Sequence, residues 1–339
     1  MLDVVISLLP CALTGCIFFG WQALLIILMS VFACVATEFI YFFIANKGFN
    51  NKCRDAKAVC MRWLKQFDLT SVVTGLILAL IIPVTDKWYQ VFYEVIFGAV
   101  FAIALVKMLF GGTGKNLVNP AAAARVFMFL SFSLTAYTVC NISPIFASEI
   151  ALKEGSDILT GATNLTGILQ GEGFTQPTNL IHPLDLFLGT GVPGAIGETC
   201  KAAILLGYIY LVARKVIKWW QPVLFIALFG FTAVLLSGFG FESYKFDMSL
   251  FLPHILSGGV MFAAVFMFPD YVTSPKSGIA QLVFIIIAAL LTAVLRYLTH
   301  IEIVSFVILI MNLIVPLIDK LIRPRPFGFK KIKKVKEEK

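Results

Sequence analysis

The sequence predicts an all-α polytopic membrane protein of about ten transmembrane helices, and three observations carry that prediction. Hydrophobic residues make up 59% of the 339 residues and charged residues only 14%, with a mean hydropathy of +0.92. A water-soluble domain cannot clothe its surface with so few charges. The apolar residues gather in runs close to the roughly 20 that a helix needs to cross a bilayer core. The Lys and Arg between those runs fall overwhelmingly on one side. Together these exclude a soluble enzyme, a disordered chain and a nucleic-acid binder, and they turn the +8 net charge into a topology signal.

The runs lie near 3–20, 22–46, 69–83, 90–110, 120–139, 196–213, 220–239, 252–268, 278–296 and 301–318. The first imitates a signal peptide, but it lacks a basic leader and a second apolar run follows at once, so it reads as a span. The third and eighth are short and rich in Gly and Ser. With the N-terminus in the cytoplasm, the inner side receives 22 of the 27 Lys and Arg. They come from the 47–66 loop, from 107–125 and 214–218, from Lys276, and from a basic tail over 319–339. The outer side receives Lys87, Lys153, Lys201, Lys245 and Arg296. The positive-inside rule therefore expects both termini in the cytoplasm of a prokaryotic cell membrane, with the tail anchored beside anionic lipid.

That arrangement leaves 140–195 as a long extracytoplasmic loop between spans five and six, rich in Gly, Thr and Asn. A chain with short loops elsewhere places chemistry in such a segment, or tolerates it as an insertion. Five spans on each side predict two inverted halves, with Ser71-x-x-Thr74-Gly75 and Ser257-Gly258-Gly259 as corresponding fragments. The membrane domain is then 1–318 and the tail 319–339.

Within the loop stands Asp157-Ile-Leu-Thr160-Gly161-Ala162-Thr163, where Gly161 and Ala162 leave the backbone open to a close approach to the Thr163 hydroxyl. Alone, the string reads as an ordinary loop. Asn141-Ile-Ser143 and Asn164-Leu-Thr166 fit a glycosylation pattern relevant only to a eukaryotic secretory route. Gly111–Pro120 combines turn-forming glycines with Asn119-Pro120, which can open a helix; Asn116 and Asn119 there serve either a broken-helix ligand or ion site near the inner face or merely the start of span five. Ionisable residues inside spans are functional candidates: Glu38, Glu94, Arg125, Glu198 and Lys201, with Glu38 foremost for an ion path. Lys107 and Arg125 are expected to snorkel to the inner interface, and Asp270 to cap backbone or hold a loop. The seven Cys show no C-x-x-C pair and the three His no ligand spacing, so no metal site and no Cys-held iron–sulfur cluster are expected. Gly111-Gly112-x-Gly114 lacks the spacing and strand-to-helix setting of a dinucleotide fold, and no catalytic residue stands out.

The string at 157–163 is a complete D-x-x-[ST]-G-A-T, the flavinylation motif of the NqrB/RnfD family, and other segments resemble that family in order along the chain. They are Met1-Leu2-Asp3 with Leu8-Leu9-Pro10 and Phe19-Gly20-Trp21; Asp68-Leu-Thr-Ser71-Val-Val-Thr74-Gly75; Gly111-Gly112-Thr-Gly114-Lys-Asn116-Leu-Val-Asn119-Pro120-Ala121; Gly194-Ala-Ile-Gly197-Glu198-Thr199; and Asp270-Tyr-Val272-Thr273-Ser-Pro275. Length resembles the RnfD branch more than the longer NqrB. The resemblance implies FMN esterified through its phosphate to Thr163 by a flavin transferase, with Asp157, Thr160, Gly161 and Ala162 as the recognition motif. It allows a second, non-covalent flavin such as riboflavin. It further implies one component of an Rnf-type complex that relays electrons between ferredoxin and NAD+ while Na+ or H+ crosses the membrane. The partners would be cytoplasmic NADH and iron–sulfur subunits, membrane subunits and a second flavin subunit, and the chain would be inactive alone. An NqrB-type component of a quinone reductase, or a solute channel or secondary transporter, are the rival readings. Two departures stand out. Members usually carry some thirty residues before the Met-Leu-Asp segment, which bears on the start of the chain and on contacts through that arm, and the usual Ser after Gly-Glu-Thr is Cys200.

Overall fold

A computed structural model describes residues 1–49, 56–84, 88–132, 139–141, 160–162, 183–190, 194–237, 248–299 and 301–322. The first half contains α1 (Leu2–Phe19), α2 (Trp21–Phe49), α3 (Ala56–Gln66), α4 (Thr70–Leu80), α5 (Trp88–Val100) and α6 (Pro120–Ser131). α5 runs on into a π-helical stretch, Phe101–Met108. Between the halves lie two short strands, β1 (Val139–Asn141) and β2 (Thr160–Ala162), and α7 (Pro183–Leu188). The second half contains α8 (Lys201–Ala213), α9 (Trp220–Ser237), α10 (Phe251–Leu256), α11 (Val260–Phe266), α12 (Gly278–Thr299) and α13 (Val304–Leu321). The protein is a helical, polytopic membrane protein.

Every run expected from the sequence coincides with an apolar helix or helix pair, but the runs are not alike. Among the described residues, six helices are long and apolar enough to cross a membrane, or up to eight if each of two bent pairs forms one span. One bent pair joins the expected third span, α4, to α3, a helix that falls in the expected 47–66 loop and turns by 72° into α4; the other is the expected eighth span, where the helix before Ser257 turns by 62° into α11. The expected 69–83 helix is therefore shorter, and 252–268 is broken at its glycines. The expected fifth and sixth spans reduce to α6 and α8, with 12 and 13 residues. α6 ends where Phe132 turns to extended backbone, and 133–138 of the expected 120–139 span lie outside the described residues. In 196–213, residues before Lys201 pair with a neighbouring chain segment instead of entering the helix.

That segment positions a large part of the site. Ile196 N donates to Ile82 O at 3.2 Å and Gly197 N to Leu80 O at 2.8 Å, so the turn at 195–197, with Ala195 bridged to Pro83, docks on the end of α4. A Cβ at Gly197 would meet Leu80 at 2.7 Å, and one at Gly15 would overlap Ile196. Gly15 and Gly197 thus let α1, the Gly194–Thr199 segment and α4 interleave, with Ile196 fully buried.

The helix packing repeats. α2 packs on α4 and α5, α1 on α4, and α6 on α4 and the π-helical stretch. In the second half α9 packs on α10, α11 and α12, α8 on α11, and α13 on α11 and α12. The halves meet through α1 on α8 and α6 on α13, which are the first and last members of each set. Among the described residues, the contacts of the second half thus follow the same order as those of the first. The apolar core runs through both halves without a break, and much of the rest of the apolar surface is exposed, as in Leu13, Ile17, Phe32 and Leu130, as a lipid-facing surface requires.

Candidate functional site

Both bent pairs carry buried charge. In the first, Leu69 holds a left-handed φ of 64° just before α4, and Asp68 Oδ1 accepts from Thr70 N at 3.1 Å and from Thr70 Oγ1 at 2.6 Å. Lys107, on the π-helical stretch, reaches this break. Its Nζ lies 3.0 Å from Glu38 Oε1, donates to Ser71 Oγ at 2.9 Å and to Thr70 Oγ1. Ser71 Oγ in turn donates to Glu38 Oε2. Lys107 is only 1% exposed. The expectation that it snorkels to the interface is therefore incorrect: the side chain turns inward because a carboxylate and two hydroxyls offer it partners that lipid cannot. Glu38, the foremost ion-path candidate, is the carboxylate it pairs with.

The glycine-rich loop abuts the same break. Gly111, Gly112 and Gly114 adopt φ of 103°, 87° and 82°, which only glycine holds without strain, and Thr113 Oγ1 comes within 3.3 Å of Thr70 Oγ1. Asn119 caps α6, accepting from Ala121 N and Ala122 N at 3.0 and 3.3 Å, with Pro120 in the first turn as the sequence predicted. Asn116 differs: its buried Oδ1 has no hydrogen-bond partner among the described residues.

The second break gathers more charge. Arg296 of α12, 2% exposed, donates from Nη1 to His254 O at 3.1 Å and from Nη2 to Ser257 O at 2.9 Å. Its guanidinium carbon lies 5.3 Å from the centre of the Phe229 ring on α9. Glu302 stands 3.6 Å from Arg296 Nη2 and accepts from Gly259 N at 3.0 Å. Gly258 has a φ of 69°, and a Cβ there would overlap Glu302. Glu198 and Lys201, expected to open span six, meet this break too: Lys201 Nζ donates to Gly258 O at 3.2 Å and to Glu198 O, and the Glu198 carboxylate lies against Gly259. The two breaks are built alike. In each, a cation near the C-terminal end of the fourth or ninth helical segment serves the broken third or eighth, and also touches the second or seventh.

Asp270 lies apart, in the turn after α11. Its carboxylate accepts from Thr273 Oγ1 at 2.8 Å and from Val272 N at 3.4 Å, so it holds a loop, one of the two roles expected of it. Burial pushes its pKa up against those hydrogen bonds. In the 157–163 string, Thr160, Gly161 and Ala162 form β2, antiparallel to β1, with Gly161 opposite Cys140 and Thr160 opposite Asn141. Asp157 and Thr163 lie outside the described residues, as does the rest of the predicted loop apart from β1, α7 with its following turn, and the 194–195 return. Sequence reasoning passed over Arg296 and Glu302 as site residues. The signal available was that Arg296 is one of few basic residues assigned to the sparsely charged side.

The profile of the NQR2, RnfD, RnfE family matches residues 1–328. The chain belongs to this family. Its relatives include the D component of the Na(+)-translocating ferredoxin:NAD(+) oxidoreductase complex of Acetobacterium woodii, 34% identical over 98% of this chain and 92% of that one. The D component of the ion-translocating oxidoreductase complex of Stutzerimonas stutzeri is 32% identical over 97% of this chain and 91% of its own. The counterpart from the proton-translocating ferredoxin:NAD(+) oxidoreductase complex of Clostridium ljungdahlii is 31% identical over the same shares. The match spans the ordered run of motifs from the N-terminus to Pro275; of these, the segments at 68–75 and 111–121 meet at the first break and 194–199 reaches the second.

Proposed function

We propose that this chain is the RnfD component of an Rnf-type complex, relaying electrons between ferredoxin and NAD+ while the assembly moves Na+ or H+, with FMN esterified to Thr163. The observation that carries the reading is the match to relatives named as that component over nearly the whole of both chains. The local chemistry fits the cofactor. A phosphoester needs a hydroxyl, which the Thr at 163 has, and the preceding Thr160–Ala162 is extended strand with a side-chain-free Gly161 at its centre. FMN held this way supplies one- and two-electron chemistry with its ring unmodified. The chain's own part is to tether and orient it, with Asp157, Thr160, Gly161 and Ala162 as the transferase's recognition surface.

The 22 of 27 basic residues assigned to one side support cytoplasmic termini and an extracytoplasmic flavin loop, with 1–318 as membrane domain and 319–339 as basic tail. Electrons then enter and leave through partner subunits, because a bilayer core of about 30 Å separates an outer flavin from a cytoplasmic donor. A second, non-covalent flavin near Asn116 and Asn119 belongs to the same reading; the unpartnered Asn116 Oδ1 supports a polar occupant there. Thr163→Ala, co-expressed with a flavin transferase, should lose the fluorescence of the denatured band in a gel, whereas Thr160→Ala should retain part of it. Undiminished fluorescence in Thr163→Ala would sink the assignment.

A further inference from the structure

The break between α10 and α11 holds a group whose role the electron-relay reading leaves open, and the inference rests on that reading only in assuming that ions cross this complex. Breaking a helix strips main-chain carbonyls of their N–H partners, and in a low-dielectric interior those oxygens need a donor or a cation. Discontinuous helices hold coupling ions at such unwound carbonyls in transporters of several folds. Here Arg296 serves His254 O and Ser257 O. The next carbonyl, Gly258 O, is served by Lys201 Nζ at 3.2 Å. The same ammonium reaches Glu198 O, so two main-chain oxygens from separate segments converge on one monovalent positive charge, 3% exposed at the residue level.

Two carboxylates complete the surroundings. Glu198 lies against Gly259, and Glu302 Oε1 accepts from Gly259 N. His254, on the last turn of α10, is 3% exposed, and neither of its ring nitrogens is hydrogen-bonded among the described residues, so the break retains unused polar capacity in its immediate surroundings. Besides Glu198 and Glu302, the groups acting on Lys201 are Arg296 and the Cys200 thiol, with Cys11 of α1 close by; Arg125 acts on Glu198. A lysine is an expensive side chain to bury merely to cap two carbonyls, which a hydroxyl or amide could do without charge.

We propose that this break is a monovalent-cation seat occupied by the Lys201 ammonium, so that a proton on Lys201, and not a metal ion, is the charge it holds in the native chain. Removing the side chain leaves Glu198 O and Gly258 O facing a vacated position that Na+ or K+ can fill, with the Glu198 and Glu302 carboxylates at the neighbouring Gly259. The test is thermal unfolding of the purified full-length chain in detergent, with NaCl or KCl replaced by choline chloride at constant ionic strength. The native chain should melt identically in all three. Lys201→Ala should melt lower in choline and recover by about 3 °C in Na+ or K+, and adding Glu198→Gln should weaken that recovery. If Lys201→Ala does not accumulate folded, Lys201→Gln, whose shorter amide leaves the position partly open, is read the same way. A Lys201 variant that melts alike in all salts would make the residue a helix cap and overturn the proposal. So would a native chain already stabilised by Na+ or K+ in a way that Glu198→Gln abolishes. The measurement needs neither flavin nor partner subunits, so a complex that transports no ion would refute the functional reading while leaving these melting curves to judge the seat.

Discussion

Lys107 and Glu38 form the most committed pair in the molecule, because each is the partner the other was buried for. With side chains 2% and 10% exposed, neither can turn to water, and Ser71 bridges them through the second carboxylate oxygen. Breaking such a pair costs about 3–5 kcal/mol, since the surviving charge stays buried, whereas replacing both partners by apolar groups is often neutral. Lys107→Met should therefore lower the melting temperature sharply, and Lys107→Met with Glu38→Leu should restore most of the loss. A double variant as unstable as the single one would show that Glu38 is held by something other than Lys107. By contrast Arg214, whose pairing with Asp3 is 60% exposed on the arginine side, contributes little of this kind.

At the scale of elements, close approach decides which helices can pack. α2 and α4 touch backbone to backbone: Ser30 Oγ donates to Gly75 O at 2.7 Å, and a Cβ at Gly75 would stand 2.8 Å from Val31 Cα. Small residues at such crossings are how membrane helices gain packing that lipid cannot match. Gly75→Ala must push the helices apart, and a destabilisation of about 1–3 kcal/mol is expected. Gly278→Ala, where a Cβ meets nothing within 4 Å, should leave the melting temperature unchanged and serves as the control. Equal melting of the two variants would mean that α4 is free to shift along α2.

At the scale of the whole molecule, the duplicated packing and the one-sided charge both bear on orientation. Two like breaks, each served by a cation from the following helical segment, are what an inverted pair of five-span units would place toward opposite membrane faces. If the orientation is as proposed, a single Cys introduced as Gly173→Cys on a Cys-free background should react with an impermeant maleimide in intact cells. Labelling only after lysis would invert the topology and separate Thr163 from an exported transferase.

The sequence by itself determined the class, the positions of the apolar runs and the candidate flavin attachment, because these depend on composition, run length and contiguous motifs. The two weak spans were legible in the same way, from the Gly and Ser in 69–83 and 252–268, whereas the lengths of the fifth and sixth were not, since α6 and α8 have 12 and 13 residues. Asn119-Pro120 announced the start of α6 because a helix cap is a local interaction. The tertiary structure alone decided what the buried charges do. Nothing local distinguishes a lysine that snorkels from one that turns inward, and Lys107 turns inward only because Glu38, 69 residues earlier, and the hydroxyls of α4 converge on it. The same holds for Lys201 and Arg296, which donate to carbonyls exposed by a break in another helix, and for Glu302, which accepts from Gly259 N at that break and faces Arg296. The family segments at 68–75, 111–121 and 194–199 are far apart in the chain; the first two meet at the break before α4, and the third reaches the break at Gly259 only through the fold.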